Sequence, residues 1–272
     1  MITHLFCCPL CRAPLTPVGG SYVCPARHTF DIARRGYVNL LTGRATKQHG
    51  DNKEMIQARH DFLSAGHYEV LMQAVADVTY RYTPQNAKLL DAGCGECSYT
   101  YRITKTLNDA VRPYEMLGID ISREALSIGA GTCREAALAV ASLYHLPLAD
   151  ESIDMLFEIF APHCGEEYHR VLKPGGTLVM AIPTARHLYG LKEVLYETPY
   201  ENTVSDPALA GFALKEQIAV RDRLTLSGSD LWSLFTMTPY FYRTAPQAKE
   251  KLRQRARLET EIAFALLVYQ KI

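Results

Sequence analysis

From residue 88 onward the chain alternates short apolar runs with amphipathic stretches. Residues 88–92, 116–119, 137–141, 153–157 and 177–182 read as five strands, and about 98–107, 123–129 and 166–172 as helices between them. Ser122 is placed to cap the second helix, and Lys173-Pro174-Gly175-Gly176 to turn the chain before the fifth strand. Such alternation predicts a parallel sheet covered on both faces. Upstream, residues 54–82 carry a helical period broken at Ala65-Gly66-His67, so that one helix ends near Ser64 and a second runs over 68–82, with Leu71, Val75 and Val78 at helical spacing. Downstream, 185–195 reads as helix, 197–211 as loop, 218–226 as strand, 229–235 as a helix capped by Ser227 or Ser229, and 262–270 as a closing strand. The first 53 residues show neither period. Residues 1–34 read as a small Cys/Pro/Gly-rich unit with a short strand at Tyr22-Val23, and 35–53 as a linker before an α/β domain over 54–272.

Composition is that of an ordinary globular chain, with 48% hydrophobic and 21% charged residues among 272. No run of about 18 uncharged apolar residues predicts a membrane span. The start, MITHLFCCPLC, lacks the basic flank and apolar core of a signal peptide. A cytoplasmic location is expected, where cysteines are reduced, metal-bound or catalytic rather than paired. Net charge is zero but unevenly spread: residues 1–60 hold eight Lys/Arg against three Asp/Glu, a balance of +5, and the other 212 hold 21 against 26, a balance of −5. A basic N-terminal segment suits a polyanion partner, and equally a solvated surface. Arg34, Arg35, Arg44, Lys47 and Lys53 fall in it. A second basic run, 243–257, holds Arg243, Lys249, Lys251, Arg253, Arg255 and Arg257 against Glu250.

Cys8-Pro9-Leu10-Cys11, then Cys24 and His28, make C-x2-C-x12-C-x3-H. Zinc takes four thiolate or imidazole ligands tetrahedrally, and two residues between Cys8 and Cys11 make a knuckle aiming both sulfurs at one ion. Too few apolar residues surround it for the unit to fold alone, so metal would supply folding free energy. The alternative, a thioredoxin-like redox pair, lacks its preceding strand and following helix.

The stretch from Leu89 to Tyr99, LLDAGCGECSY, is a strand, a tight turn and a helix start. In doubly wound sheets such a turn borders the ligand crevice. The dinucleotide fingerprint G-x-G-x-x-G fails here, because its third glycine position is Ser98. The D-x-G-x-G form instead suits S-adenosylmethionine. Gly93 and Gly95 let the backbone approach the methionine part, Asp91 can receive the ammonium, and Asp120, at the end of the next strand, can take both ribose hydroxyls. Ala141-Ser142-Leu143 then lies where an adenine edge would. Cys94 and Cys97 form a second C-x-x-C, read as part of this turn rather than as a redox pair.

The metal unit, FDIARRGYVNLL, MIQARHDFLSAGHY, LLDAGCGECSYT, HRVLKPGGTLVMAIP and IPTARHLYGLK together resemble the bacterial 23S ribosomal RNA (guanine-N1) methyltransferases, over essentially the whole chain. The resemblance implies an α/β fold, a class I Rossmann-like methyltransferase sheet with a small N-terminal zinc-binding module. It implies structural zinc on Cys8, Cys11, Cys24 and His28. It implies cofactor contacts from Tyr68, from Gly95-Glu96-Cys97-Ser98-Tyr99, from Asp120 and from His187. The implied substrate is one guanine in a hairpin loop of 23S ribosomal RNA, turned out of its stack into the site. The oligomeric state does not follow from sequence, though a homodimer would offer two basic faces to a folded RNA. Cys97 stands where the family carries glycine, and its side chain is expected to narrow the pocket near the methionine tail. IFAPHC, after the fourth strand, departs from the relatives around Ala161-Pro162. No group for the guanine N1 proton is named: Glu96, Glu158 and His163 lie on strand-end loops, and proximity and orientation alone can supply ~7–11 kcal/mol. Two other classes compete, a small-molecule (quinone-type) methyltransferase and a non-catalytic RNA-binding protein on a methyltransferase fold. The zinc unit and basic segment weigh against the first, and the intact Asp91, Gly93, Gly95 and Asp120 against the second.

Overall fold

The computed structural model describes residues 3–42, 50–204 and 207–272. Arg44 and Lys47 of the basic segment lie outside them. The chain opens with β1 (Thr16–Val18), β2 (Ser21–Val23) and β3 (Thr29–Asp31), an antiparallel ribbon in the order β1-β2-β3. Two backbone knuckles flank it. Arg12 N–H donates to the Cys8 carbonyl (2.8 Å) and Arg27 N–H to the Cys24 carbonyl (2.8 Å). Both arginines take left-handed φ values, 62° and 64°, which turn the backbone back on itself at each cysteine.

The residues expected to be a linker hold a strand. β4 (Tyr37–Asn39) pairs in parallel with Leu138, Ala139 and Val140 and closes one edge of the main sheet. Its apolar signal is only three residues long between charged and glycine positions, too short for a period to show. Then come α1 (Lys53–Ser64) and α2 (Glu69–Tyr82), broken where expected. Asn52 caps α1, its Oδ1 accepting the Met55 N–H at 2.9 Å. The alternating region gives β5 (Ala87–Ala92), α3 (Ser98–Asp109), β6 (Tyr114–Asp120), α4 (Arg123–Thr132), β7 (Ala136–Val140), β8 (Ile153–Ile159), α5 (Gly165–Val171) and β9 (Leu172–Pro183). Ser122 caps α4 as expected, its Oγ accepting the Ala125 N–H at 3.1 Å.

Three downstream expectations shift. The helix expected from 185 begins later, as α6 (Tyr189–Leu195), because Leu188 sits at φ 56° and interrupts the helical backbone before it. The edge strand β10 (Phe212–Leu226) starts earlier than 218. The helix after it, α7 (Gly228–Thr236), follows Ser227, whose side chain makes no capping hydrogen bond. Two short helices, α8 (Tyr240–Arg243) and α9 (Pro246–Arg253), precede the closing strand β11 (Leu258–Lys271).

The eight-stranded sheet runs β10-β11-β9-β8-β5-β6-β7-β4. β11 is antiparallel to both neighbours, and the pairs from β9 through β4 are parallel. Strand β5 lies between β6 and β8, so the winding reverses beside it, where open α/β sheets bind ligands.

The two faces of the sheet are covered differently. Leu89, Met116, Leu138, Met155 and Phe157 pack with Leu71 and Val75 of α2, Ile103 of α3 and Leu126 of α4. Their alternates, Leu90, Leu117, Ile119, Ala137 and Leu156, pack with Phe6, Leu15 and Tyr22 of the ribbon and Tyr168 of α5. The β7-to-β8 connection holds only a 3-10 turn, Leu143–His145, where the crossovers after β5 and β6 each carry an α-helix. The ribbon fills that place. Cys7 N–H donates to the Pro147 carbonyl (2.7 Å), and the Arg12 guanidinium donates to the Leu146 and Leu148 carbonyls (3.1 and 3.3 Å). The ribbon therefore shares a core with the sheet. Among the described residues no helix is long and apolar enough to cross a membrane.

Candidate active site

In the ribbon, one ligand atom from each of Cys8, Cys11, Cys24 and His28 lies within 4.8 Å of all the others. The Cys11 and Cys24 sulfurs are 3.6 Å apart, and His28 Nδ1 lies 3.4 Å from Cys8 Sγ and 3.3 Å from Cys24 Sγ. With Zn–S near 2.3 Å and Zn–N near 2.0 Å, a tetrahedral site has edges of roughly 3.5–3.8 Å. The four atoms thus fit one zinc, which the chain would hold with the ligand set read from spacing.

At the carboxyl end of β5, Asp91 is 2% exposed and accepts the Thr100 hydroxyl at 2.6 Å, an anchor from the first turn of α3. The turn then folds over β6: the Gly93 and Cys94 N–H groups both donate to the Ile119 carbonyl, at 2.8 and 3.1 Å. Gly93 takes φ 84°, and a β-carbon there would meet that of Ala161 at 2.4 Å. Only glycine fits, both for conformation and for contact with the loop after β8. Asp120 closes the opposite side. Its Oδ2 accepts the Gly95 N–H (2.9 Å) and its Oδ1 the Ser122 N–H (2.7 Å), so the acid of β6 fixes the glycine turn of β5. Glu96 is buried and accepts the Ser98 hydroxyl at 2.5 Å.

Asp91, Glu96 and Asp120 make no ion pair within 4 Å among the described residues. Burial first, then the charges of Asp120 and Glu96, push the Asp91 carboxyl up to about 7, against the Thr100 hydrogen bond. Burial also raises Asp120, opposed by the two backbone N–H donors and the field of Arg59. Two buried acids, Asp91 and Glu96, and the half-buried Asp120, none of them in an ion pair among the described residues, suit a positively charged ligand, and S-adenosylmethionine carries an ammonium and a sulfonium. The buried Tyr99 Oη has no hydrogen-bond partner among the described residues.

The remaining sequence-named residues meet through rings. Tyr68 precedes α2 and packs edge-on against Phe62 (5.1 Å between centroids), Phe264 (5.2 Å) and His187 (6.3 Å). His187 accepts the Ala263 N–H at Nδ1 (3.3 Å), so its Nε2 carries the proton and is free to donate. Burial, with Lys192 adding to it, pulls His187 down to about 3 and keeps the ring neutral. The chain of rings continues from Phe264 to Phe160 (5.3 Å) and from Phe160 to Tyr99 (6.4 Å). Phe160, Phe264 and Thr100 were not singled out from sequence. Phe160 had a legible signal, an aromatic immediately past a strand end. It is 48% exposed with φ 58°, held in the left-handed region at the rim of the crevice.

One expectation changes. The Cys97 side chain does not narrow the crevice. It is fully buried and turned away toward α4, where a β-carbon on Gly129 would meet its sulfur at 2.5 Å. Its φ of 68° explains why glycine suits the position. Of the three proton-handling candidates, Glu158 and His163 pair with each other, Oε2 to Nδ1 at 2.8 Å, with Glu158 buried and its carboxyl raised by burial against the opposing effect of His163. Glu96 lies with Asp91 and Asp120 in the acid cluster.

Residues 6–47 match the family model described as the RlmA N-terminal zinc ribbon, and residues 90–180 match a methyltransferase domain. A Micromonospora griseorubida protein, named among the 23S rRNA (guanine-N(1)-)-methyltransferases, is 36% identical over 90% of this chain and 89% of its own length. The chain belongs to the 23S rRNA (guanine-N1) methyltransferase family. The 23S rRNA (guanine(748)-N(1))-methyltransferase of Streptomyces fradiae is 33% identical over 88% of this chain and 86% of its own. YcgJ of Bacillus subtilis, at 15% identity, superposes with a TM-score of 0.51 over 73% of this chain and 98% of its own, which shows the shared sheet alone. Membership makes this member an S-adenosylmethionine-dependent enzyme with a structural zinc.

Proposed function

We propose that this chain transfers a methyl group from S-adenosylmethionine to N1 of a guanine in a hairpin loop of 23S ribosomal RNA, in the cytoplasm and as a homodimer. The observation that carries the reading is similarity to named guanine-N1 methyltransferases across both ribbon and sheet, rather than across the sheet alone. The cofactor supplies an electrophilic methyl carbon. Asp91 faces its ammonium, and Asp120 takes the ribose hydroxyls with the lone pairs its backbone donors leave free. Gly93, Gly95, Glu96, Cys97, Ser98 and Tyr99 shape the cradle, Cys97 by backbone rather than side chain. Tyr68 and the neutral His187 Nε2–H close the methionine end. Phe160 offers its exposed ring to the guanine once the base has left its stack. Proximity and orientation between base and methyl carbon then supply most of the acceleration. Arg34 and Arg35, exposed in the turn between β3 and β4, bind phosphates.

Labelled methyl transfer to unmodified ribosomal RNA, with the blocked base mapped by primer extension, tests the reading. One stop at a loop guanine is expected. Methylation of a quinone-type acceptor with none of RNA would replace it with the small-molecule reading.

A further inference from the structure

Residues 227–257, inserted between β10 and β11, carry α7, α8 and α9 and the second basic run of the sequence. Nothing in the methyl-transfer reading uses them. Trp232 on α7 is partly exposed, and the Arg253 guanidinium lies over its ring at 4.3 Å. Lys249 lies over the Phe241 ring at 4.2 Å. Arg243, Lys251 and Arg255 are exposed and make no ion pair among the described residues, while Arg257 pairs with Glu259. Glu250, the one acid of the run, accepts from Gln254. The positive charge is therefore largely uncompensated. Beside it a cavity of about 410 Å³ is lined by Trp232, Leu231, Leu252, Arg253, Arg255 and Ser229.

This surface adjoins the crevice. His67, next to Tyr68, bonds Asp230 in the first turn of α7 at 3.0 Å, and the Asn52 side chain bonds the Tyr242 hydroxyl at 2.5 Å. The helix that presents Trp232 is thus tied to the α1–α2 break where the cofactor end of the site begins.

We infer that this lobe is a second RNA-binding site, which takes one unpaired nucleotide of the substrate RNA outside the active site. The base stacks on the Arg253–Trp232 pair, and Arg255 and Lys251 take flanking phosphates. The chemistry is that of single-strand recognition, in which bases splay onto aromatic rings or arginine planes beside cations. A volume of 410 Å³ is in the range of small-molecule pockets and large enough for one nucleotide. Duplex RNA keeps its bases stacked and offers none. The inference rests on the proposed RNA substrate.

The chain has a single tryptophan, so its emission reports this site alone. The full-length protein is titrated with a synthetic RNA hairpin bearing an unpaired guanine-containing loop, with a blunt duplex of equal length as control. Total binding is read in parallel by anisotropy of the end-labelled hairpin. The hairpin is expected to quench Trp232 saturably and the duplex to leave it unchanged. Lys251→Glu with Arg255→Glu is expected to weaken hairpin binding at least tenfold and flatten its salt slope by about 1.4 (two single-strand contacts). The same variant should keep cofactor binding and melting temperature. Trp232→Phe should retain affinity, and Trp232→Ala should lose it. Hairpin binding by anisotropy with unmoved emission, and with affinity and salt slope unchanged in the double variant, overturns this site and leaves the proposed function standing. Equal quenching by the duplex overturns the unpaired-nucleotide assignment. Failure of the hairpin to bind at all, even at low salt, overturns the proposed function and this site with it.

Discussion

At the scale of single residues, Asp91 has the most direct test. Its carboxyl is pushed up to about 7 in the folded chain, against roughly 3.9 when unfolded. Between those values the folded state holds a proton that the unfolded state releases, so Asp91's contribution to stability is full below about pH 4 and lost as pH rises through about 7. A cationic ligand favours the carboxylate. Cofactor affinity should therefore climb as pH rises toward about 7 and then level off, and Asp91→Asn should bind weakly with a flat profile. Calorimetry across pH measures both. Cys97 offers a second test. Its left-handed backbone costs roughly 1–2 kcal/mol, offset by a buried sulfur packed on Gly129. Gly129→Ala alone should destabilise by about 1–3 kcal/mol, and by less in a Cys97→Gly background. Equal losses in both backgrounds, by denaturant unfolding, would contradict the packing. Phe160→Ala should cost roughly 1–3 kcal/mol of transition-state stabilisation, read as kcat/KM on RNA with cofactor affinity unchanged. Asp91, Gly93 and Asp120 were legible because their spacing carries chemistry. Thr100 was not, since a threonine on a helix gains meaning only from the acid opposite it, and the aromatic past the strand end at Phe160 gave a signal without saying what the ring would face.

At the scale of elements, strand and helix types followed from period, and the misses cluster where period is short or backbone dihedrals decide. Three residues of β4 cannot show an alternation. Leu188 at positive φ delays α6, a fact no propensity announces. The metal ligands were legible to the residue, but not where the ribbon goes. Its apolar residues, Phe6, Leu15 and Tyr22, are too few for a core and instead complete one, over Leu90 and Leu117. Loss of zinc should therefore reach past the ribbon. Chelation, or Cys24→Ser, should lower the melting temperature of the whole chain by on the order of 10 °C, in one transition. Differential scanning calorimetry resolving a ribbon transition apart from an unmoved main one would show the two units to be independent.

At the scale of the whole molecule, charge asymmetry was legible before any fold, and the topology gives it direction. Arg34 and Arg35 stand beside the β4 edge, and the 243–257 run lies on the lobe between the two strands at the opposite edge. Arg34→Ala with Arg35→Ala should weaken RNA binding and reduce its salt slope by about 1.4–1.8, leaving cofactor affinity alone. Filter binding across a salt series measures it. The connection of that lobe to the sheet has its own consequence. Leu226, where the chain leaves β10, and Leu258, where it enters β11, are cross-strand partners. The whole excursion departs and returns at one rung of the ladder. Its length and surface can change without shifting the register of any strand, provided Leu231, Leu234, Phe235 and Leu252 keep their buried face. A change confined to this lobe therefore leaves the strand ends that carry Asp91 and Asp120, on the far side of β9 and β8, where they are.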